Sequence, residues 1–144
     1  MKVSDILRSK GPDVATVQGS DPLSVAVHAF LERGVRSLVV TENGKHVAGV
    51  LSVRDVLRRL DEGGGACLDE PVAQAMTAAY AAVQPEVSVS DAERIFIEKR
   101  IHHLPVIDDD ELVGVVTPAD VLGGHLRDVE MLNDNLIRYV YGGI

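Results

Sequence analysis

Gly49-Val50-Leu51-Ser52-Val53-Arg54-Asp55-Val56-Leu57 returns later in the chain as Gly114-Val115-Val116-Thr117-Pro118-Ala119-Asp120-Val121-Leu122, with the glycine, the hydroxyl, the aspartate and the closing Val-Leu in step. In each copy a short apolar run reads as a strand. A hydroxyl residue followed three positions later by an acid then reads as a helix start, because the hydroxyl accepts from free helix N–H groups and the carboxylate answers in return. Both copies are strand-to-helix corners, and a duplication is the first property of the chain to explain.

Working outward, the whole neighbourhood repeats. Leu23, Ala26, Phe30, Leu31 and Leu38 match Val89, Ala92, Phe96, Ile97 and Leu104 at a constant offset of 66, as in 104 − 38, and the offset becomes 65 at the corners, as in 120 − 55. Val3 to Leu7 and Val72 to Met76 read as short helical lead-ins, with Val3, Ile6 and Leu7 on one side of the first. Val14 to Val17 and Tyr80 to Val83 read as short strands. Ser20-Asp21-Pro22 predicts a cap followed by proline at the first helical position, and Ser88 predicts a second cap. Helical spacing places Leu23, Ala26, Val27, Phe30 and Leu31 on one inner face, and Val89, Ala92, Phe96 and Ile97 on the other. Gly34 ends the first of these helices. Ser37 to Val40 and Val47 to Leu51 then read as strands joined by Glu42-Asn43-Gly44-Lys45, since Asn-Gly suits the positive φ angles of a tight turn. Asp108-Asp109-Asp110-Glu111 is the shorter second hairpin, its spacing unlike that of a calcium loop. Two units of about this size are too few for a solenoid and predict a pair closing on itself. The expected divisions are residues 1–66 with the first lead-in, 67–125, and a C-terminal helical extension over 126–144.

That extension carries Leu126, Val129, Leu136 and Val140 at alternating threes and fours once Asn133 fills the missing seam position, an apolar stripe suited either to the chain's own body or to a dimer seam. Gly123-Gly124 is a point at which the helix could bend. The formal charge of −8 and the lack of a Lys/Arg cluster argue against DNA or RNA as a partner. No apolar run is long enough to predict a membrane span, and Met1-Lys2-Val3-Ser4-Asp5 is not expected to be a secretory signal. Cys67 is the only cysteine and lies in a glycine-rich stretch, which fits a reducing compartment, and the cytoplasm is the expected location. His102 and His103, adjacent on an expected strand, point to opposite faces and predict no metal site. With no nucleophile–base pair legible, no catalysis is expected.

A capped helix start presents free N–H donors and a partial positive charge to a phosphate, and a nearby carboxylate can accept two hydrogen bonds from a ribose diol. Arg54 lies inside the first corner, whereas Pro118 and Ala119 leave the second without that cation, so the two are expected to differ, the first handling phosphate better. Val3-Ser4-Asp5-Ile6-Leu7, the two corners and His103-Leu104-Pro105-Val106-Ile107 together resemble a tandem pair of CBS domains, the cystathionine-beta-synthase type, over nearly the whole chain. The resemblance implies an α/β (α+β) fold: two β-α-β-β-α repeats packed about a pseudo-twofold axis, a stand-alone Bateman module, and a homodimer. It implies a non-catalytic regulatory module that binds an adenine nucleotide between its repeats, AMP first, then ADP or ATP, with NAD(H) and S-adenosylmethionine as further adenosine-bearing ligands, and signals to an unknown regulated protein. No cofactor is required. By position, Asp55 and Asp120 would hold ribose hydroxyls, Ser52 and Thr117 would approach phosphate or ribose oxygens, and Arg54 and His103 would line the phosphate side. Thr16-Val17 and Ala82-Val83 would frame adenine. The sequence departs from the family pattern at Ile101-His102-His103, where arginine is common, and at Arg36-Ser37-Leu38-Val39, which lacks both the histidine and the proline. The rival reading is a structural dimerisation or protein-interaction scaffold with empty ligand sites.

Overall fold

A computed structural model describes residues 1–141; the last three residues of the expected C-terminal extension, 142–144, lie outside the described residues. Helix α1 (Val3–Lys10) leads into β1 (Thr16–Gln18), α2 (Leu23–Arg33), β2 (Ser37–Glu42), β3 (His46–Ser52) and α3 (Val53–Gly63). A 3-10 segment (Gly64–Asp69) and the single turn α4 (Val72–Ala75) connect to α5 (Val89–Lys99), β4 (Leu104–Asp108), β5 (Glu111–Val116) and α6 (Pro118–Tyr141). In the first half β1 runs parallel to β2, which pairs antiparallel with β3; in the second half β4 and β5 form the matching hairpin. These are the two β-α-β-β-α repeats with a C-terminal helix. Asn43 and Gly44 take φ of 55° and 77°, and Asp109 and Asp110 take 52° and 64°, so both hairpins close through two consecutive left-handed residues. Leu112 N–H donates to the Lys45 carbonyl, which ties the two hairpins together.

The second copy of the short strand is reduced to one parallel bridge, Val83 to Val106. In the first half Val39 N–H donates to the Ala15 carbonyl. The pseudo-equivalent of Val39 is Pro105, which has no N–H to offer Ala81, so the ladder cannot extend there. The start of α2 also differs from expectation. Pro22 is itself the N-cap residue, with φ −65° and ψ 149°, and no side chain caps the helix. Leu23 N–H donates to the Glu70 carbonyl, while the Asp21 carboxylate accepts from Gln18 N–H. Ser88 does cap α5, accepting from Asp91 N–H at 3.1 Å.

Each half has its own apolar core, and each core is completed by a lead-in. Val3 and Ile6 of α1 are buried with Val83, Val89, Phe96, Leu104 and Val116 of the second half. Val72 of α4 and Cys67 are buried with Leu23, Phe30, Leu38 and Leu51 of the first. The two cores exchange segments: the N-terminal lead-in joins the second core, and Cys67, in the glycine-rich stretch, is buried in the first. Backbone bonds repeat the exchange, Val3 N–H to the Val87 carbonyl and Val72 N–H to the Asp21 carbonyl, both 2.8 Å. Leu31 and Ile97, expected on the inner faces, are 80% and 70% exposed. Each follows a buried phenylalanine by one residue, hence about 100° around the helix, which is enough to leave the core face.

Helix α6 runs unbroken through Gly123-Gly124. Gly124 is buried, and a Cβ there would sit 3.1 Å from Met1 Sδ, so this glycine serves a close approach rather than a bend. The lead-ins rest on the sheet glycines. A Cβ on Gly114 would lie 2.5 Å from Leu7 Cδ2, and one on Gly49 would lie 2.7 Å from the Thr77 carbonyl oxygen and 2.8 Å from Met76 Sδ. Leucine tips can turn aside whereas a backbone carbonyl cannot, so Gly49→Ala should destabilise more than Gly114→Ala, by about 1–3 kcal/mol as expected for overpacking. Thermal melts of the two variants check the order; equal losses would contradict it.

Candidate functional site

The two corners are built as their sequence requires. Ser52 caps α3, its Oγ accepting from Asp55 N–H at 3.1 Å while Asp55 Oδ2 accepts from Ser52 N–H at 2.8 Å. Thr117 and Asp120 make the same box at 3.3 and 2.9 Å. Each corner uses only part of its carboxylate for capping, which leaves acceptor capacity for a ligand.

Each corner opens into a cleft whose opposite wall comes from the other half of the chain. Val50, Ser52, Arg54 and Asp55 face Ala79-Tyr80-Ala81 and Lys99 to His103 across a cavity of about 740 Å³. Val115 and Thr117 face Asp13-Val14-Ala15 and Arg33 to Ser37 across a cavity of about 620 Å³. Both volumes suit a small-molecule ligand. Pseudo-equivalent residues line the two clefts, as Lys99 and Arg33, or Tyr80 and Val14, again differ by 66 (99 − 33, 80 − 14). Ser37, His102 and His103 line both, so this segment is the wall the clefts share. His102 and His103 lie just before β4 rather than in it. Among the described residues no group of three His, Cys, Asp or Glu side chains could hold a metal.

Of the residues singled out from sequence, Ser52, Arg54, Asp55 and His103 meet in the Asp55 cleft, and Thr117 lines the other with His103. Asp120 does not line its cleft, because Lys10 stands in front of it: Lys10 Nζ donates to Asp120 Oδ2 at 2.8 Å and to the Val115 carbonyl at 2.9 Å. The second corner thus has a cation after all, delivered by α1 from 110 residues away. Thr16, Val17, Ala82 and Val83 line neither cleft. Val17 and Val83 point into the cores and Thr16 and Ala82 are exposed. The residues just before them, Val14-Ala15 and Tyr80-Ala81, take the wall position. The cations Lys99, Arg100, Arg33 and Arg36 also line the clefts, although no sequence motif marks them as ligand groups. The signal was present in the repeat offset, but only with the knowledge that each corner faces the opposite half.

The His103 imidazole, on the wall that both clefts share, does not keep its ordinary proton affinity. Burial pushes its imidazole below the ordinary value, His102 adds to the effect, and the Asp55 carboxylate opposes it. Among the described residues its buried Nδ1 has no hydrogen-bond partner.

A pair of related repeats enclosing two clefts, each with a capped corner and cationic walls, defines a paired ligand-binding module. The CBS domain family matches residues 3–62 and 72–125, and the chain belongs to that family as a tandem pair, a Bateman module. Modules of this class regulate and do not catalyse. CBSX3, a mitochondrial CBS domain-containing protein of Arabidopsis thaliana, is 30% identical over 156 aligned residues, spanning 98% of this chain and 72% of the relative. The crystal structure of the CBS-domain containing protein ATU1752 from Agrobacterium tumefaciens superposes with a TM-score of 0.79 at 27% identity, covering 87% of this chain and 99% of that one. The crystal structure of CBSX2 in complex with AMP superposes with a TM-score of 0.75 at 26% identity, covering 88% of this chain and 96% of that one. Among the described residues no helix is long and apolar enough to cross a membrane.

The depressed His103 has a pH consequence. Between its lowered folded value and the ordinary 6.5, the unfolded chain binds the proton that the native state refuses, so stability falls as pH drops through that window. Urea unfolding at about pH 7.5 and about pH 5.5 should show a smaller acid-induced loss in His103→Gln than in the wild type. Equal losses would assign the acid sensitivity to other groups.

Proposed function

We propose that the chain is a non-catalytic sensor that binds an adenine nucleotide, AMP first and ADP or ATP next, between its repeats and passes the bound state to a partner protein. The observation that carries this reading is the Asp55 cleft, which combines a capped helix start, a buried carboxylate and the cations Arg54, Lys99 and Arg100 in one cavity of nucleotide size. A nucleotide needs both kinds of group. Asp55 Oδ2 is already aligned by Ser52 N–H, so the carboxylate is preorganised to accept ribose hydroxyls. Ser52, Arg54 and His103 take the phosphate side, and Tyr80, with its hydroxyl donating to the Val47 carbonyl at 3.2 Å, offers its ring to the base. The AMP complex of CBSX2 supports the choice of ligand. The cytoplasm, with its reduced thiols, suits the buried free Cys67.

A ligand present at 100 times its dissociation constant adds about 2.7 kcal/mol of stability, enough to raise the melting temperature measurably. A thermal-shift panel of AMP, ADP, ATP, NAD(H) and S-adenosylmethionine should respond to AMP most. Asp55→Ala should lose about 1 kcal/mol from its cap and, in addition, weaken the binding. A flat response across the panel would leave a scaffold as the better description.

The homodimer belongs to the same proposal. Leu126, Val129, Leu136 and Val140 are 56%, 63%, 55% and 60% exposed on α6, so their stripe is not absorbed by the chain's own body. Asn133 stands in the same heptad seam, where a single polar residue fixes register between paired helices. Truncation after Arg127 should therefore weaken self-association in sedimentation velocity, and an unchanged dimer would move the interface elsewhere.

A further inference from the structure

The two clefts differ at one place that the duplication does not explain. Helix α1 has eight residues and α4 only four, and the connection from lead-in to strand is longer in the first half by three residues, (17 − 7) − (83 − 76). The extra turn carries Lys10 to the Asp120 corner. In the other half the corresponding carbonyl, Val50 O, accepts from Thr77 backbone N–H at 2.9 Å. Its counterpart Val115 O accepts from Lys10 Nζ at 2.9 Å, and the same ammonium reaches Asp120 Oδ2 at 2.8 Å. Asp55 also has a cation, Arg58 at 3.5 Å from Oδ1, but it comes from the next turn of the same helix, is 59% exposed and does not line the cleft. As a result Asp55 is part of the wall of its cleft, whereas Lys10 replaces Asp120 in the wall of the other.

We propose that Lys10 is a specificity-determining residue that makes the clefts unequal, holding the Asp120 carboxylate away from a ribose diol so that the Asp55 cleft fills first. This rests on the adenine-nucleotide reading above. Lys10 and the Thr117 N–H share Asp120 Oδ2, and a diol entering from the cleft meets the Lys10 ammonium, which lines that wall, before it reaches the carboxylate. The pair is partly exposed, with side chains at 35% and 21%, so its hold on the carboxylate is moderate. An affinity gap of about tenfold between the clefts follows, equivalent to about 1.4 kcal/mol.

Calorimetric titration of AMP into four folded proteins tests this. Wild type should bind two AMP per chain in unequal steps. Asp55→Ala removes the tight step and isolates the Asp120 cleft; Asp55→Asn, which keeps a cap acceptor, replaces it if the alanine variant melts too low. Adding Lys10→Met to the Asp55 variant, which keeps the alkyl stem and deletes the charge, should tighten the remaining step about tenfold, and Lys10→Arg in its place should not. Equal affinities with and without Lys10→Met, while wild type still binds, would overturn the role of Lys10 alone. Silence toward AMP in all four proteins would overturn the nucleotide reading and this inference together.

Discussion

Neither half of this chain closes its own core without the exchange of lead-in segments. Val3 and Ile6 fill the second core and Val72 and Cys67 the first, and the backbone bonds from Val3 to Val87 and from Val72 to Asp21 fix the exchange at both ends. The α4 exchange is local, since Val72 follows the first half directly in sequence. The α1 exchange spans most of the chain, so the second core cannot be completed until residue 3 has returned to residues 83 to 121. Such long-range closure carries a loop-entropy cost, which the burial of Val3 and Ile6 and the bonds to Val87 and Pro85 offset.

The clefts depend on this arrangement. Because the halves face each other about a pseudo-twofold axis, a corner from one half looks onto the strand edge and helix end of the other, and Ser37, His102 and His103 sit where the two clefts meet. A ligand held there touches both halves at once. Its binding energy is therefore available to alter how the halves sit, which is the physical requirement for a module that reports occupancy.

Much of this was legible in the residues. The duplicated corner, the Asn-Gly turn, the Ser88 cap and the matching phenylalanines all declare themselves locally, and local chemistry is what sequence records best. The misplacements fall where the folded backbone, and not residue type, decides what a side chain meets. Leu31 and Ile97 carry core-like chemistry one position past the core face. Pro105 deletes a strand that its own sequence does not contain. Ala82-Val83 directly follow the wall at Tyr80-Ala81, but by Val83 the chain has left the cleft to bridge Val106 and enter the second core. Lys10 is an ordinary lysine until an extra helical turn brings it beside Asp120.

Helix α6 joins the corner to the outside. It starts at Pro118, directly after the Thr117 hydroxyl that caps it beside the second cleft, and its exposed apolar stripe continues to Val140. Residues 126–141 extend about 24 Å as a helix. Rotation about their packed root near Gly124 is amplified in proportion to that length, so a tilt of about 5° displaces the far end by about 2 Å. A change too small to alter the core is therefore large enough at the tip of such a helix to make or break side-chain packing.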